Sequence, residues 1–374
     1  MAATERRRRL VGRGAAGLAL AVAGALGLGV LGLKAATLPE EVAALMYHSY
    51  DGGGVTVTGP AVELRKHVLG DYSARVGYYV DSISAASIDV VTSASPYDER
   101  REEWSLGADW VQGDTLMSVG FVTSEENDYD ADTYTLAVAQ TFFAGMSTVS
   151  MAYGRGDDVV TRVDTDFRDE VSRDQYRLGW SQVLTPRLIA SLDYEAILEE
   201  GFLANPYRSA RVLGAQVPES YPRARNSHAV ALQGVAMVAE GTSLEAGYRW
   251  FGDTWDVRAH TLELGAARRM RDDLVARLTY RFYTQDAASF YADDFDQPYE
   301  YMARDKELST FVSHALGGRL TWDLAGRLGR LGTGSLAVGY DFVRFDYDDF
   351  TDIRNGDAYA FDSHVFQIEF AARW

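Results

Sequence analysis

Apolar and polar residues alternate with period two along most of this chain, and that period limits what the chain can fold into. In Leu274–Tyr283, Leu274, Ala276, Leu278, Tyr280 and Phe282 fall on one side. Val275, Arg277, Thr279, Arg281 and Tyr283 fall on the other. Leu188–Ile197 and Leu244–Asp253 repeat the pattern. A helix, with 3.6 residues per turn, would scatter these residues around its circumference, whereas an extended strand keeps them on two faces. The chain therefore reads as all-β.

A soluble sandwich alternates as well, so further features are needed to separate it from a membrane barrel. The polar face carries charges and glycines in mid-strand: Arg75, Gly77 and Asp81; Arg177 and Gly179; Gly339 and Asp341. Connections alternate in length. Short ones are expected near 70–71, 112–114, 143–145, 185–187, 239–241 and 270–273, and long ones near 84–100, 125–131, 157–170, 199–225, 286–306 and 348–358. Short turns at one end and long loops at the other are the pattern of outer-membrane barrels. Every proline after the first segment falls in a proposed turn or loop except Pro60, as a ladder of backbone donors requires. The expectation is a transmembrane antiparallel up-and-down β-barrel of about 16 strands, with 14 or 18 as alternatives. About 15 strands are visible from Val55 to Trp374. The missing one falls in 42–54, or that stretch threads the lumen as a plug, or Ile83–Ser93 pairs.

The first 36 residues read as a secretory signal. Arg6–Arg9 and Arg13 precede an uncharged run from Gly14 to Leu33, closed by Lys34-Ala35-Ala36. The run has 20 residues, of which 6 are Gly and 6 Ala, a composition better suited to cleavage near 35–36 than to a permanent anchor. Residues 37–53 form an N-terminal segment (plug or extra strand), and 54–374 the barrel. The formal charge is −18. Without residues 1–36, Lys+Arg falls from 36 to 30 and Asp+Glu from 54 to 53, giving −23. That balance opposes nucleic-acid binding, which needs a basic face. The chain has no cysteine, which removes disulfides, thiolate metal sites and cysteine nucleophiles. The last strand places Phe366, Ile368 and Phe370 on one face and ends in Trp374. This reads as a signal for the barrel-assembly machinery.

Several phrases are more specific than barrel texture: Tyr47–Val55 (YHSYDGGGV), Ala86–Tyr97 (ASIDVVTSASPY), Ser124–Tyr129 (SEENDY), Asn205–Ser209 (NPYRS), Ala303–Phe311 (ARDKELSTF) and Arg344–Phe350 (RFDYDDF). In this order and spacing, over roughly 42–374, the chain resembles domain-of-unknown-function family 3570 of Gram-negative outer-membrane proteins. The resemblance implies a bacterial outer-membrane location, with membrane lipid and lipopolysaccharide around the barrel. It also implies a small lipoprotein or a periplasmic redox protein as partner. It carries over no substrate and no catalytic residue.

Pore-lining candidates are Arg75, Asp81, Arg177, Asp193, Glu195, Glu245, Arg249, Arg277, Arg281 and Asp341, all on the polar face. Opposed rows of arginines and carboxylates there would set up a transverse field that selects polar solutes. In the N-terminal motif, Gly52, Gly53 and Gly54 allow unusual backbone, and Tyr47, His48 and Asp51 supply polar groups, so that His48 and Asp51 could ligate a metal or polarise each other. The bland reading is a tight bend with a satisfied hydrogen-bond network. Asp128, Asp130 and Asp132 are weak calcium candidates: they lack the glycine and closing glutamate of an EF-hand. Asp293–Asp296 and Asp346–Asp352 read as similar acidic loops. No cofactor signature is present. The histidines show no metal-ligand spacing. Ser227-His228 and Ser313-His314 put Ser and His on opposite faces of a strand, so neither is a nucleophile–base pair. The leading expectation is a channel, or the barrel of an envelope transport system. The alternatives are a plugged barrel that docks a periplasmic redox or metal-handling partner, and a barrel hydrolase.

Overall fold

The computed structural model describes residues 36–85, 97–163, 165–324 and 332–374. Residues 1–35 of the segment read as a signal, 1–36, and most of the phrase Ala86–Tyr97 lie outside the described residues. The first half of the chain forms β1 (Val42–Gly52), β2 (Val55–Leu69), β3 (Tyr72–Ala85), β4 (Tyr97–Gln112), β5 (Thr115–Glu125), β6 (Tyr129–Phe142), β7 (Ser147–Thr161) and β8 (Arg168–Thr185). The second half forms β9 (Leu188–Gly201), a short hairpin of β10 (Ser209–Val212) and β11 (Ala215–Pro218), then β12 (Ala224–Ala239), β13 (Thr242–Asp253) and β14 (Arg258–Arg271). β15 (Leu274–Gln285), β16 (Phe311–Asp323), β17 (Thr333–Thr351) and β18 (Ala358–Arg373) complete it. All except β10 and β11 join one antiparallel sheet, and β1 pairs with β18 to close it into a barrel of 16 strands.

The N-terminal segment corrects one boundary. Val42–Gly52 is β1, paired with β18 on one side and β2 on the other, so the barrel begins at Val42 rather than 54 and the segment is no plug. Pro60 lies within β2, opposite Tyr47 of β1, and leaves no ladder bond to β3 at its own position.

Exposure separates the two faces. Leu278, Leu316, Leu136 and Leu232, on β15, β16, β6 and β12, are 57–65% exposed on the outward side of the wall. A water-soluble protein does not present a continuous apolar band of this kind, and a bilayer is the solvent that accepts it. The inner face carries the polar set.

The connections alternate as expected, with two differences. At the turn end, where β1 begins and β18 ends, Gly70 and Gly113 take φ of +51° and +59°, the left-handed conformation a two-residue hairpin turn needs. At the loop end, β1 and β2 are joined only by Gly53-Gly54, and the expected loop 125–131 shrinks to three residues between β5 and β6. Much of 157–170 and 348–358 is likewise strand. β8 and β17 have 18 and 19 residues, well beyond the 9–11 needed to cross a bilayer, so the wall stands above the apolar band. The strand ladder persists there because neighbouring strands still satisfy each other's backbone groups in water.

Candidate functional site: the lumen and its loop-end mouth

All ten pore-lining candidates fall on the face opposite the exposed apolar band. Arg177, Glu195, Glu245, Arg249, Arg277 and Arg281 pair along the wall. Arg177 reaches Glu195 at 2.7 Å, and the same glutamate lies 3.8 Å from Arg249. Arg277 pairs with Glu245, two strands away, and Arg281 lies 3.6 Å from Glu263. Missing side chains make these reaches possible. Gly265 sits between Glu245 and Thr279 in the register, and a Cβ there would come within 3.3 Å of the Glu245 carboxylate. Asp341 likewise lies across Gly317, Asp193 against Gly179, and Arg75 against Gly107. Arg177, Arg249, Arg277 and Arg281 thus each sit beside a glutamate on the same stretch of wall.

The N-terminal motif splits. His48 points inward and is buried, while Asp51 is exposed and accepts a hydrogen bond from the Thr56 hydroxyl at 3.2 Å. His48 instead meets Asp81, Nε2 to Oδ1 at 2.8 Å, and Tyr79 stacks on its ring. The contact spans β1 to β3 over Gly59, which pairs with His48 and lies against Val80 and Asp81. Tyr47 points outward, and Gly52 packs against Ser363 of β18. Gly53 and Gly54 make the tight turn with φ of +59° and +79°.

The acidic candidates also separate. Asp128 is buried, and its carboxylate lies with those of Glu99 and Glu126, ligand atoms all within 4.8 Å of one another. These three, of which sequence reasoning identified only Asp128, could hold a hard cation. Asp130 and Asp132 are exposed on the outward face of β6 and take no part. The other acidic runs are committed to arginines and backbone: Asp293 to Arg304, Asp294 to Arg211, Asp352 to Arg354, and Asp349 to the Thr310 amide. At the C terminus, Phe366 and Ile368 are exposed on the outward face, and Trp374 lies under the Lys66 ammonium at 4.9 Å. Phe370 sits in the same outward row. Ser227 and Ser313 are buried while His228 and His314 are exposed on the outside.

The loops at 202–223 and 286–310 fold together over the mouth. Tyr221, Trp255, Val257, Ala288, Phe290, Ala303 and Leu308 form one apolar cluster joining both loops to the β13–β14 turn. Ser220 and Met302 exchange backbone hydrogen bonds at 3.0 and 2.8 Å. Buried Arg208 pairs with Asp305. Arg304, also buried, donates to Asp293 at 2.9 Å and to the Thr351 carbonyl at 2.8 Å, and it stacks on Phe350 at 4.4 Å. Below, the inward aromatics Phe311, Tyr347 and Tyr359 pack with Phe350 and with Tyr283, Phe345 and Phe361. Nothing in the alternation of the strands marked the latch arginines. The signal that was available was the phrase ARDKEL itself, which puts two cations into a loop whose other charges are all acidic.

Glu219 sits inside this latch. Tyr221 Oη donates to it at 2.7 Å and the Arg304 amide at 2.7 Å. Desolvation, and then the nearby Asp305, push its carboxyl up to about 7, against the pull of Arg208. The closed loops therefore hold the Glu219 proton more tightly than opened ones do. By linkage, the closed state is most stable below about pH 4.5 and loses stability as pH rises to about 7. Protection factors of the 202–223 amides, taken against the intrinsic exchange rate at each pH, should fall across that window, and Glu219→Gln should abolish the fall. A pH-independent protection factor in the parent protein would count against this.

The phrases Tyr47–Val55, Ser124–Tyr129, Asn205–Ser209, Ala303–Phe311 and Arg344–Phe350 all reach the loop end. Three comparisons bear on what such a barrel is. The chain is similar to the solved structure described as a "Bacterial polysaccharide outer membrane secretin", at 8% identity and a TM-score of 0.51, covering 90% of this chain and 100% of that one. It also aligns with the outer membrane protein opdK from Pseudomonas aeruginosa (8% identity, TM-score 0.45, 90% of this chain and 99% of that one). A third alignment is with a Pseudomonas aeruginosa FadL homologue (10%, 0.42, 90% and 91%). At these identities the likeness concerns the fold alone, and only the first carries weight: an outer-membrane type of β-barrel. A search of curated proteins found no match. The model of the family described as "Protein of unknown function (DUF3570)" matches residues 88–330, a narrower stretch than the phrases suggested but 243 of the 374 residues. The chain belongs to that family.

Proposed function

We propose that this protein is a bacterial outer-membrane channel for polar solutes or ions, with its mouth controlled by the latched loops. The observation that carries the reading is the luminal wall: ionised groups paired side by side along the interior, with the apolar band outside. Sixteen-stranded barrels are wide enough to leave an aqueous interior unless loops fill it. Lateral pairing leaves the wall hydrophilic with little net local field, so charge selection falls to the mouth. Acidic residues dominate the whole chain, and the exposed ones at the mouth should draw cations toward it.

Planar-bilayer recording of the purified protein tests the reading. Discrete conductance steps are expected, with a reversal potential favouring cations at low KCl. The preference should shrink as salt rises, because exposed charges are screened beyond about 8 Å at physiological ionic strength. Anion selectivity at low salt would mean that the luminal arginines govern the constriction. The second reading, a barrel closed by its loops that docks a periplasmic partner, is favoured by the buried core of the latch. It predicts no conductance until the loops are released.

A further inference from the structure

A ring of side-chain pairs runs around the outside of the barrel where the apolar band ends. On the ascending strands it begins with an aromatic residue. Its partner is the last polar residue on the outward face of the next descending strand before the apolar band, placed diagonally one step higher. In the second half of the barrel the pair is the same each time. Tyr194 Oη meets His228 Nδ1 at 2.9 Å, and Tyr248 meets His260 Nδ1 at 2.7 Å. Tyr280 meets His314 Nδ1 at 2.8 Å, and Tyr340 meets His364 Nδ1 at 2.7 Å. The register repeats: His228 is opposite Ala196, His260 opposite Trp250, His314 opposite Phe282, and His364 opposite Phe342, each two residues beyond the tyrosine.

In the first half the same positions are acidic. Tyr78 bonds Glu102 at 3.1 Å and Tyr153 bonds Asp174 at 2.6 Å, while Asp132 holds the equivalent place beside Phe121. The ring is therefore divided, with carboxylates over β3–β8 and imidazoles over β9–β18.

We propose that the four Tyr–His pairs form an arc that binds the phosphate groups of lipid headgroups in the surrounding leaflet. This rests on the reading of the barrel as a membrane protein. Three observations carry it. The pairs lie at the boundary where outward side chains change from apolar to polar, the depth at which headgroups sit and interfacial aromatics collect. In each pair Nδ1 is engaged by the tyrosine hydroxyl, which leaves Nε2 on the exposed side of the ring; with the hydroxyl as donor, Nε2 carries the proton and presents an N–H to the leaflet. This arc carries no carboxylate at the partner position: Arg258 lies two residues from His260 on the same face, and Asp362, two residues from His364, is held by Arg344 at 3.1 Å. The acidic half repels phosphate, so lipid should be held on one side of the barrel.

The test uses the full chain reconstituted in nanodiscs, with bisphosphorylated and dephosphorylated lipid A as probes, read by native mass spectrometry. The parent should retain the bisphosphorylated lipid in preference. Replacing the four histidines with Phe keeps the rings and removes the N–H. That should cut the preference about tenfold, the size of one charge-assisted hydrogen bond. If that variant does not fold, as judged by mobility on unheated gels, the four Tyr→Phe changes at 194, 248, 280 and 340 should lower the preference through the lost tautomer lock. Replacing Glu102, Asp132 and Asp174 with their amides should not lower the preference. No preference in the parent, or an equal preference in folded variants, would overturn the proposal. Because the protein is reconstituted, that failure is distinct from failure of the location reading, which fractionation of cells tests separately.

Discussion

Leu278→Arg should abolish folding of the barrel in membranes, while Thr279→Arg should fold. Leu278 is 65% exposed near mid-strand on the outward face. An arginine there is expected to cost about 2–4 kcal/mol near the bilayer midplane, a large part of a domain's marginal stability. Thr279 is one residue on and points into the lumen, with glycine on each side: Gly265 on β14 and Gly317 on β16. Beyond those glycines lie Glu245 and Asp341, whose carboxylates already lean across the gaps. A guanidinium at 279 would enter a slot lined by two acids. Heat-modifiable gel mobility after refolding into vesicles reads both variants. Equal yields would show that the register of β15 is displaced by one residue, since a single slip exchanges the faces.

The second large effect concerns the latch. Arg304→Met should release the 286–310 loop while leaving the barrel folded. The guanidinium is 6% exposed on its side chain, and its loss strands the Asp293 carboxylate, the Thr351 carbonyl and the face of Phe350. Breaking one side of a buried ion pair costs about 3–5 kcal/mol, with the lower end apt here because Asp293 keeps a quarter of its surface in water. That is enough to shift a surface loop from closed to open. Protease should then cut within 286–310, and single-channel current should rise several-fold over the parent. Asp293→Asn added to Arg304→Met should restore part of the protection, because the uncompensated charge is gone. Unchanged cleavage and current in the single variant would mean that the apolar cluster around Trp255 and Phe290, rather than the arginine, holds the loop.

Much of this architecture is legible in the chain because a strand's two faces are a property of its own backbone. The alternation of LVARLTYRFY assigns Arg277 and Arg281 to the lumen and Leu278 and Tyr280 to the outside, with no knowledge of neighbours. The same logic places about 16 strands and separates Ser227 from His228. What the period could not supply is who stands beside whom, because that depends on register between segments far apart in sequence. His48 finds Asp81 only because Gly59 intervenes between their strands, and Asp51, three residues on, faces the other way. Asp128 joins Glu99, 29 positions earlier, whereas Asp130 and Asp132, nearest in sequence, turn outward as the strand continues above the membrane. Arg304 and Asp305 are polar residues in a loop, for which solvent exposure is the ordinary expectation. Arg304 is buried and Asp305 largely covered because a second loop, some 80 residues earlier, folds over them, and that packing exists only in three dimensions.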